Sequence, residues 1–365
     1  MNYELLYRIA LTLVPNIGDV QSKALINHFG DAASVFKAKK KDLESIEGMG
    51  TVRARSIKDF SDFTAAEKEI IFIEKFKITP LFITDAAYPR RLLNCYDNPI
   101  LLYYKGNADL NCSKIIAVVG TRNNNDYGKN ICEKFIEAFA DLNVLIVSGL
   151  AFGIDSIAHK SALKNGLPTI GVLAHGLDRI YPPQNKMLAK QMVANGGLLT
   201  DFRSTTNPDK QNFPKRNRIV AGICDAVLVI ETGMKGGSLI TAELANGYNK
   251  DVFAIPGRTT DPKNEGCNYL IKSNKASLVT TADDILENMG WKEHEKINPR
   301  KQRELFIDLN PSEKIIADIL HSGQHHIDEI FLQSGLSSSV VASALLTLEM
   351  QNIVQSLPGK IYQLT

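Results

Sequence analysis

The chain has 365 residues and sets 42 Lys+Arg against 40 Asp+Glu, a net charge of +2, so bulk charge does not advertise a polyanionic partner. At a prior of roughly 150 residues per domain, this length allows two or three domains. The five cysteines, Cys95, Cys112, Cys132, Cys224 and Cys267, are odd in number and lack any paired C-x-x-C spacing, so neither a zinc knuckle nor a disulfide framework is indicated.

In chain order, Met1-Asn2-Tyr3-Glu4 lacks a basic signal region, and no later apolar run approaches the ~18 residues of a membrane span. The expected location is therefore the cytoplasm, with no membrane partner. Residues 1–72 then carry a weak internal repeat. Val14-Pro15-Asn16-Ile17-Gly18-Asp19-Val20 and Ile46-Glu47-Gly48-Met49-Gly50-Thr51-Val52 align at a spacing of 32, each followed by a helical pattern. They read as two helix-hairpin-helix units in a small all-α, SAM-like domain. The glycines either expose backbone N–H groups to a phosphate at a helix N-terminus or merely close the hairpins. Only the second copy has cations close by, Arg53 and Arg55.

Over residues 73–290 short β-branched runs alternate with amphipathic stretches, the pattern of a mostly parallel sheet covered by helices. Strands are expected at 81–84, 101–104, 115–119, 144–147, 169–173, 226–230, 252–255 and 278–280. This is a Rossmann-like α/β domain. In such a sheet ligands gather at the carboxyl ends of the strands. The first core strand ends in the polar loop Gly120-Thr121-Arg122-Asn123-Asn124-Asn125-Asp126-Tyr127-Gly128, which is not a G-x-G-x-x-G fingerprint, and no phosphate-loop motif occurs anywhere. No cofactor is expected. Ser148-Gly149-Leu150-Ala151-Phe152-Gly153-Ile154-Asp155 offers small residues entering a helix, either as an anion site at Ser148 and Gly149 or for tight packing. His159, on that helix, reads as a core histidine. Gly236-Gly237-Ser238, with Ser238 as a possible helix cap, makes a second phosphate-sized nest.

Between Arg203 and Arg218 five positive charges meet one negative around an aromatic: Arg203, Asp209, Lys210, Phe213, Lys215, Arg216 and Arg218. That is either a charged loop starting a helix or a single-strand site, where cations follow phosphates and a base stacks on the ring.

A charged linker is expected at 291–308, followed by a winged-helix domain at 309–365. Its helix from Asn310-Pro311-Ser312-Glu313 begins with a cap, a proline and an acid. The order of the remaining elements is that of a winged helix, but a duplex reader needs cations on its second helix, and here there are none. Lys314 and Lys360 face Glu313, Asp318, Asp328, Glu329 and Glu349, a net charge of −3, which points to a protein partner. His321, His325 and His326 form an H-x-x-x-H-H group that is either a metal site or a solvated cluster. Nucleophile elbows and metalloprotease motifs are missing, and Glu231 with Glu243 is the best carboxylate pair for an enzymatic alternative.

Six motifs stand in order: Gly120-Thr121-Arg122, Ser148 to Asp155, Gly176-Leu177-Asp178 with Tyr181-Pro182-Pro183-Gln184-Asn185, Phe213 to Arg218, Gly236 to Ala242, and Pro256-Gly257 followed by Gly266 to Ile271. Together they resemble the DNA-processing protein A (DprA/Smf) family, and the flanking helical and winged-helix domains extend the likeness to nearly the whole chain. The resemblance implies a sequence-independent single-stranded DNA-binding protein, not an enzyme, that protects incoming DNA and loads the RecA recombinase during natural transformation. It also implies a homodimer formed through the Rossmann-like domain. Its DNA pocket maps onto Arg122 and Lys210, with Phe213 as the stacking aromatic and Lys186 in a similar role. Arg216 and Arg218 either touch phosphates or brace their loop. The rival reading is a nucleotide-processing enzyme, because Gly236 to Glu243 is also similar to the phosphate loop of the lysine-decarboxylase-like phosphoribohydrolases.

Overall fold

The computed structural model describes residues 3–292, 309–357 and 359–364. The chain forms two compact units, Met1–Lys292 and Glu293–Thr365. The expected linker at 291–308 lies outside the described residues, apart from Trp291 and Lys292.

In the first unit the expected α/β architecture is present, preceded by helices. Its strands are β1 (Thr79–Phe82), β2 (Leu101–Gly106), β3 (Ile115–Val119), β4 (Leu145–Ser148), β5 (Thr169–Val172), β6 (Gly196–Thr200), β7 (Ala226–Val229), β8 (Asp251–Ala254) and β9 (Ser277–Leu278). They form one sheet in the order β1-β2-β6-β5-β4-β3-β7-β8-β9. From β6 to β9 all pairings are parallel, whereas β1 and β2 add an antiparallel edge. Helices cover both faces of the parallel part, which is why β3 reads as an uninterrupted apolar run: Ile115, Ala117 and Val119 enter one core cluster while Ile116 and Val118 enter the other.

One strand is invisible to the sequence pattern. Gly196-Gly197 looks like a breaker, yet β6 lies between β5 and β2. At Gly196, with φ of 137°, an added Cβ would sit 2.0 Å from the Thr169 carbonyl oxygen, and at Gly197 it would meet the Tyr104 ring at 2.5 Å. The glycines let the backbones close in, and the Tyr104 hydroxyl donates to Gly196 O at 2.9 Å. Most other strand ends shift by one or two residues from the expected ranges, and for two of them the cause is visible. β1 stops at Phe82 rather than reaching Thr84, because the Asp85 carboxylate turns back to accept Phe82 N–H at 2.8 Å. β9 stops at Leu278, since Thr280 and Thr281 give their N–H groups to the Asp284 carboxylate at 2.7 and 2.9 Å.

The N-terminal helices pack onto the sheet edge: one core cluster joins Leu6, Ile9, Leu25, Val35 and Ile57 to Phe82, Leu101 and Tyr103. Residue 72, where the helical domain was expected to end, falls within the helix Thr64–Phe76.

The second unit has the element order of a winged helix: helices Pro311–Leu320, Ile327–Ser334 and Ser338–Met350, with strands His325–His326, Val354–Leu357 and Ile361–Leu364 in an antiparallel sheet. Asn310 caps the first helix, accepting from Ser312 N and Glu313 N, while the Glu313 carboxylate accepts from Asn310 N in return. The two-residue strand at His325–His326 has no sequence signal.

Candidate nucleic-acid interface

The strand order reverses at β3, whose neighbours are β4 and β7, and at that switch point an open α/β sheet has its natural crevice. Three strand-end loops meet there. Thr121 N–H donates to Glu231 O at 2.7 Å and Ile154 N–H to Thr121 O at 3.2 Å, which ties the loops after β3, β4 and β7 together. Asn125 then caps the helix Asp126–Ala138 by accepting from Gly128 N at 2.8 Å. The asparagine-rich loop is thus spent largely on its own geometry, and its neighbour Arg122 is left exposed.

A cavity of about 390 Å³ opens between these loops, lined by Arg122, Gly149, Phe213, Arg216, Lys235 and the Gly236–Ser238 turn. Phe213 comes from the first turn of the helix Asn212–Ile223, half-buried, and the Arg122 guanidinium carbon stands 5.0 Å from its ring centre. An arginine at that distance over an aromatic face makes a cation–π contact. The loop after β7 leads into the helix Gly237–Gly247, whose cap is Gly236 rather than Ser238. Ser238 sits inside the first turn, and its buried hydroxyl donates to Thr232 Oγ1 at 2.7 Å. The nest is therefore built from backbone alone.

Of the residues singled out from sequence, Arg122, Phe213, Arg216, Gly149, Gly236, Gly237 and Ser238 share this cavity. Ser148 does not reach it. Its side chain is fully buried, and its hydroxyl donates to Val118 O at 2.6 Å. Gly149 lines the cavity but is held tightly: an added Cβ would lie 2.4 Å from Asp155 Oδ2 and 2.5 Å from an Arg216 guanidinium nitrogen. That explains the small residue better than close approach by a ligand.

The two arginines that the sequence left between binding and bracing are occupied by the protein. Arg216 is 6% exposed, with Nε on Asn217 Oδ1 and a guanidinium N–H on Val172 O. Burial pushes the Asp155 carboxyl up while the Arg216 charge beside it pulls the other way. Arg218 points elsewhere. It pairs with Asp201 at 2.7 Å and Asp19 at 2.9 Å and donates to Asp97 O, which fastens the first helical hairpin to the sheet. Lys186, at the start of the helix Lys186–Ala194, and Lys210, just before the Phe213 helix, are exposed and line neither this cavity nor its neighbour.

Two aromatics were not read as site residues. Phe152, in the loop after β4, and Tyr181, in the Tyr-Pro-Pro motif, flank a smaller recess that also has Arg122 and Phe213 in its wall. The available signal was that apolar rings stood inside otherwise polar or glycine-rich loops.

Other candidates find structural partners. His159 is fully buried with its ring nitrogens on Gly149 O and Thr169 Oγ1. Glu231 is buried and accepts from Asn125 N, while Glu243 pairs with Lys275, so the two carboxylates are not brought together as an acid–base pair. In the second hairpin Arg53 donates to Asn16 O and Gly48 O, and Arg55 pairs with Asp59. In the winged-helix unit His325 bonds Ser322 and Glu329, and His326 accepts from Asp328 N. No single helix among the described residues is long and apolar enough to cross a membrane.

Comparison with known proteins sets this site in a family. A family model described as DNA recombination-mediator protein A matches residues 79–290, and one described as DprA winged helix domain matches residues 304–360. The protein Smf of Synechocystis sp. is 33% identical over 99% of either chain. The DNA processing protein DprA of Streptococcus pneumoniae has an X-ray structure that superposes with a TM-score of 0.68 at 36% identity, covering 77% of this chain and 97% of that one. DNA processing protein A from Helicobacter pylori, whose structure concerns a unique single-stranded DNA binding mode, superposes with a TM-score of 0.54 at 29% identity, over 59% of this chain and 96% of that one. With more than half its length under the first family description and a relative matched end to end, the chain belongs to the DNA recombination-mediator protein A family of DNA-processing proteins, known as DprA or Smf.

Proposed function

We propose that this protein binds single-stranded DNA without sequence preference at the carboxyl edge of its sheet. The observation that carries the reading is the pairing of exposed Arg122 with the Phe213 ring at the mouth of one cavity. A backbone phosphate takes the guanidinium and a base takes the ring, and neither partner depends on which base is present. Lys210, on the segment leading into the Phe213 helix, and Lys186 add charge along the strand's path. Gly237, at the start of the helix Gly237–Gly247, supplies a backbone N–H for a further phosphate, whereas the Gly236 N–H is spent on Gly233 O at 3.0 Å. Arg216 and Arg218 act as braces rather than contacts. The likeness to the Helicobacter pylori protein supports the same reading.

The family membership extends the proposal: the bound strand is protected and handed to RecA in transformation and recombination, in the cytoplasm, by a homodimer and without catalytic turnover. The outer edge of β9, with Leu278 52% exposed, supports a dimer through the sheet domain. The separate allocation of Glu231 and Glu243 speaks against the phosphoribohydrolase alternative. A gel shift comparing single-stranded with duplex oligonucleotides tests the proposal, which expects retention of the single strand and fails if duplex binds equally well.

A further inference from the structure

We propose that Phe152 and Tyr181 form, with Phe213, a second base-stacking subsite that grips an unpaired base next to the phosphate held at Arg122. The inference rests on the single-strand reading above and assigns it two more residues.

Phe152 is 46% exposed and Tyr181 45%, and both large aromatics line the wall of one recess. The Tyr181 and Phe213 ring centres are 6.2 Å apart at an interplanar angle of 62°, an edge-on pairing that leaves ring surface uncovered. The recess holds about 40 Å³, too little for a nucleoside. A base therefore lies across the aromatic rims instead of entering. Arg122 and Phe213 belong to both this recess and the 390 Å³ cavity, so a strand whose phosphate sits in the larger space has its next base beside the smaller one.

Tyr181 is also held in place. The His175 Nδ1 lies 2.9 Å from Gly176 O, a pure acceptor, so that nitrogen carries the proton and Nε2 accepts Tyr181 N–H at 3.2 Å. His175 is a positioning residue, buried to 1% exposure, that fixes the Tyr181 backbone. Only an unpaired base can turn its face to such a wall, so the subsite would favour single strands over duplex.

The test is a fluorescence-anisotropy titration of the full chain with two strands of equal length, an oligothymidine and one whose central nucleotides are abasic. The wild type is expected to prefer the base-bearing strand by at least roughly fivefold. Phe152→Ala and Tyr181→Ala should each shrink that preference, and the double variant should shrink it further. Tyr181→Phe, which keeps the ring, should retain it and so guards against a folding loss. A double variant with the wild-type preference overturns the subsite. If Arg122→Ala still weakens both strands in that case, the single-strand reading stands alone. If Arg122→Ala weakens neither strand, both readings fall.

Discussion

The guanidinium carbon of Arg122 lies 5.0 Å from the centre of the Phe213 ring, although one residue follows β3 and the other begins the helix after β6. The contact holds a cation and an aromatic face at one cavity mouth before any ligand arrives. Phe213→Ala should therefore weaken oligothymidine binding by about 1–3 kcal/mol, read by anisotropy. Arg122→Lys should not restore wild-type affinity, because an ammonium lacks the planar face that stacks on the ring. Wild-type affinity in Phe213→Ala would remove Phe213 from the interface, and wild-type affinity in Arg122→Lys would show that the charge alone suffices at that position.

Arg218 is expected to matter for stability rather than for binding. Its side chain is 14% exposed between Asp201 and Asp19, which are 11% and 32% exposed. Arg218→Ala leaves a nearly buried carboxylate without its cation, and the partly exposed Asp19 keeps the cost near the lower end of the range for a broken buried pair, about 3 kcal/mol. Urea denaturation should show that loss, with single-strand affinity unchanged at temperatures where the variant is folded.

Gly149→Ala places a methyl against Asp155 and Arg216, charged atoms 2.4 and 2.5 Å from the added carbon. Overpacking of this kind costs about 1–3 kcal/mol, and it also displaces the guanidinium that holds Val172 O. Thermal denaturation should register a lower midpoint. An unshifted midpoint would mean that the loop after β4 yields easily.

Acid should destabilise the fold through His159. Burial pushes its imidazole from the ordinary 6.5 down to about 4, so the folded state keeps it neutral where the unfolded chain binds a proton. The unfolded state thus gains protons as pH falls through 6.5, and stability should drop by about 3 kcal/mol by pH 4, at about 1.4 kcal/mol per unit. His175, also lowered by burial, acts in the same direction. Urea midpoints measured from pH 7 to 4 check this. Burial raises the Asp155, Asp201 and Glu231 carboxyls, which act in the opposite direction, so the His159 share is the difference between wild type and His159→Gln; a difference that does not change with pH would contradict the neutral, buried assignment.

The parallel core was readable because strands buried on both faces must be apolar throughout, as Ile115 to Val119 are. β6 was not, because its glycines answer to the Thr169 backbone and the Tyr104 ring, which no local pattern reveals. In the site, Arg122 and Phe213 were legible as a motif arginine and an aromatic amid cations. The fate of Arg216 and Arg218 was not, since a charge count cannot distinguish a solvent-facing guanidinium from one spent on Val172 O or Asp201. Ser238 was misread as a cap for a similar reason: the hydroxyl that would cap the helix is turned inward to Thr232.

The most direct test is the salt dependence of oligothymidine binding by wild type and Arg122→Ala. With Arg122, Lys186 and Lys210 as the phosphate contacts, log K should fall with log salt at a slope of about −2, and Arg122→Ala should flatten it by about 0.7. A slope near zero, or one that Arg122→Ala leaves unchanged, would contradict the account.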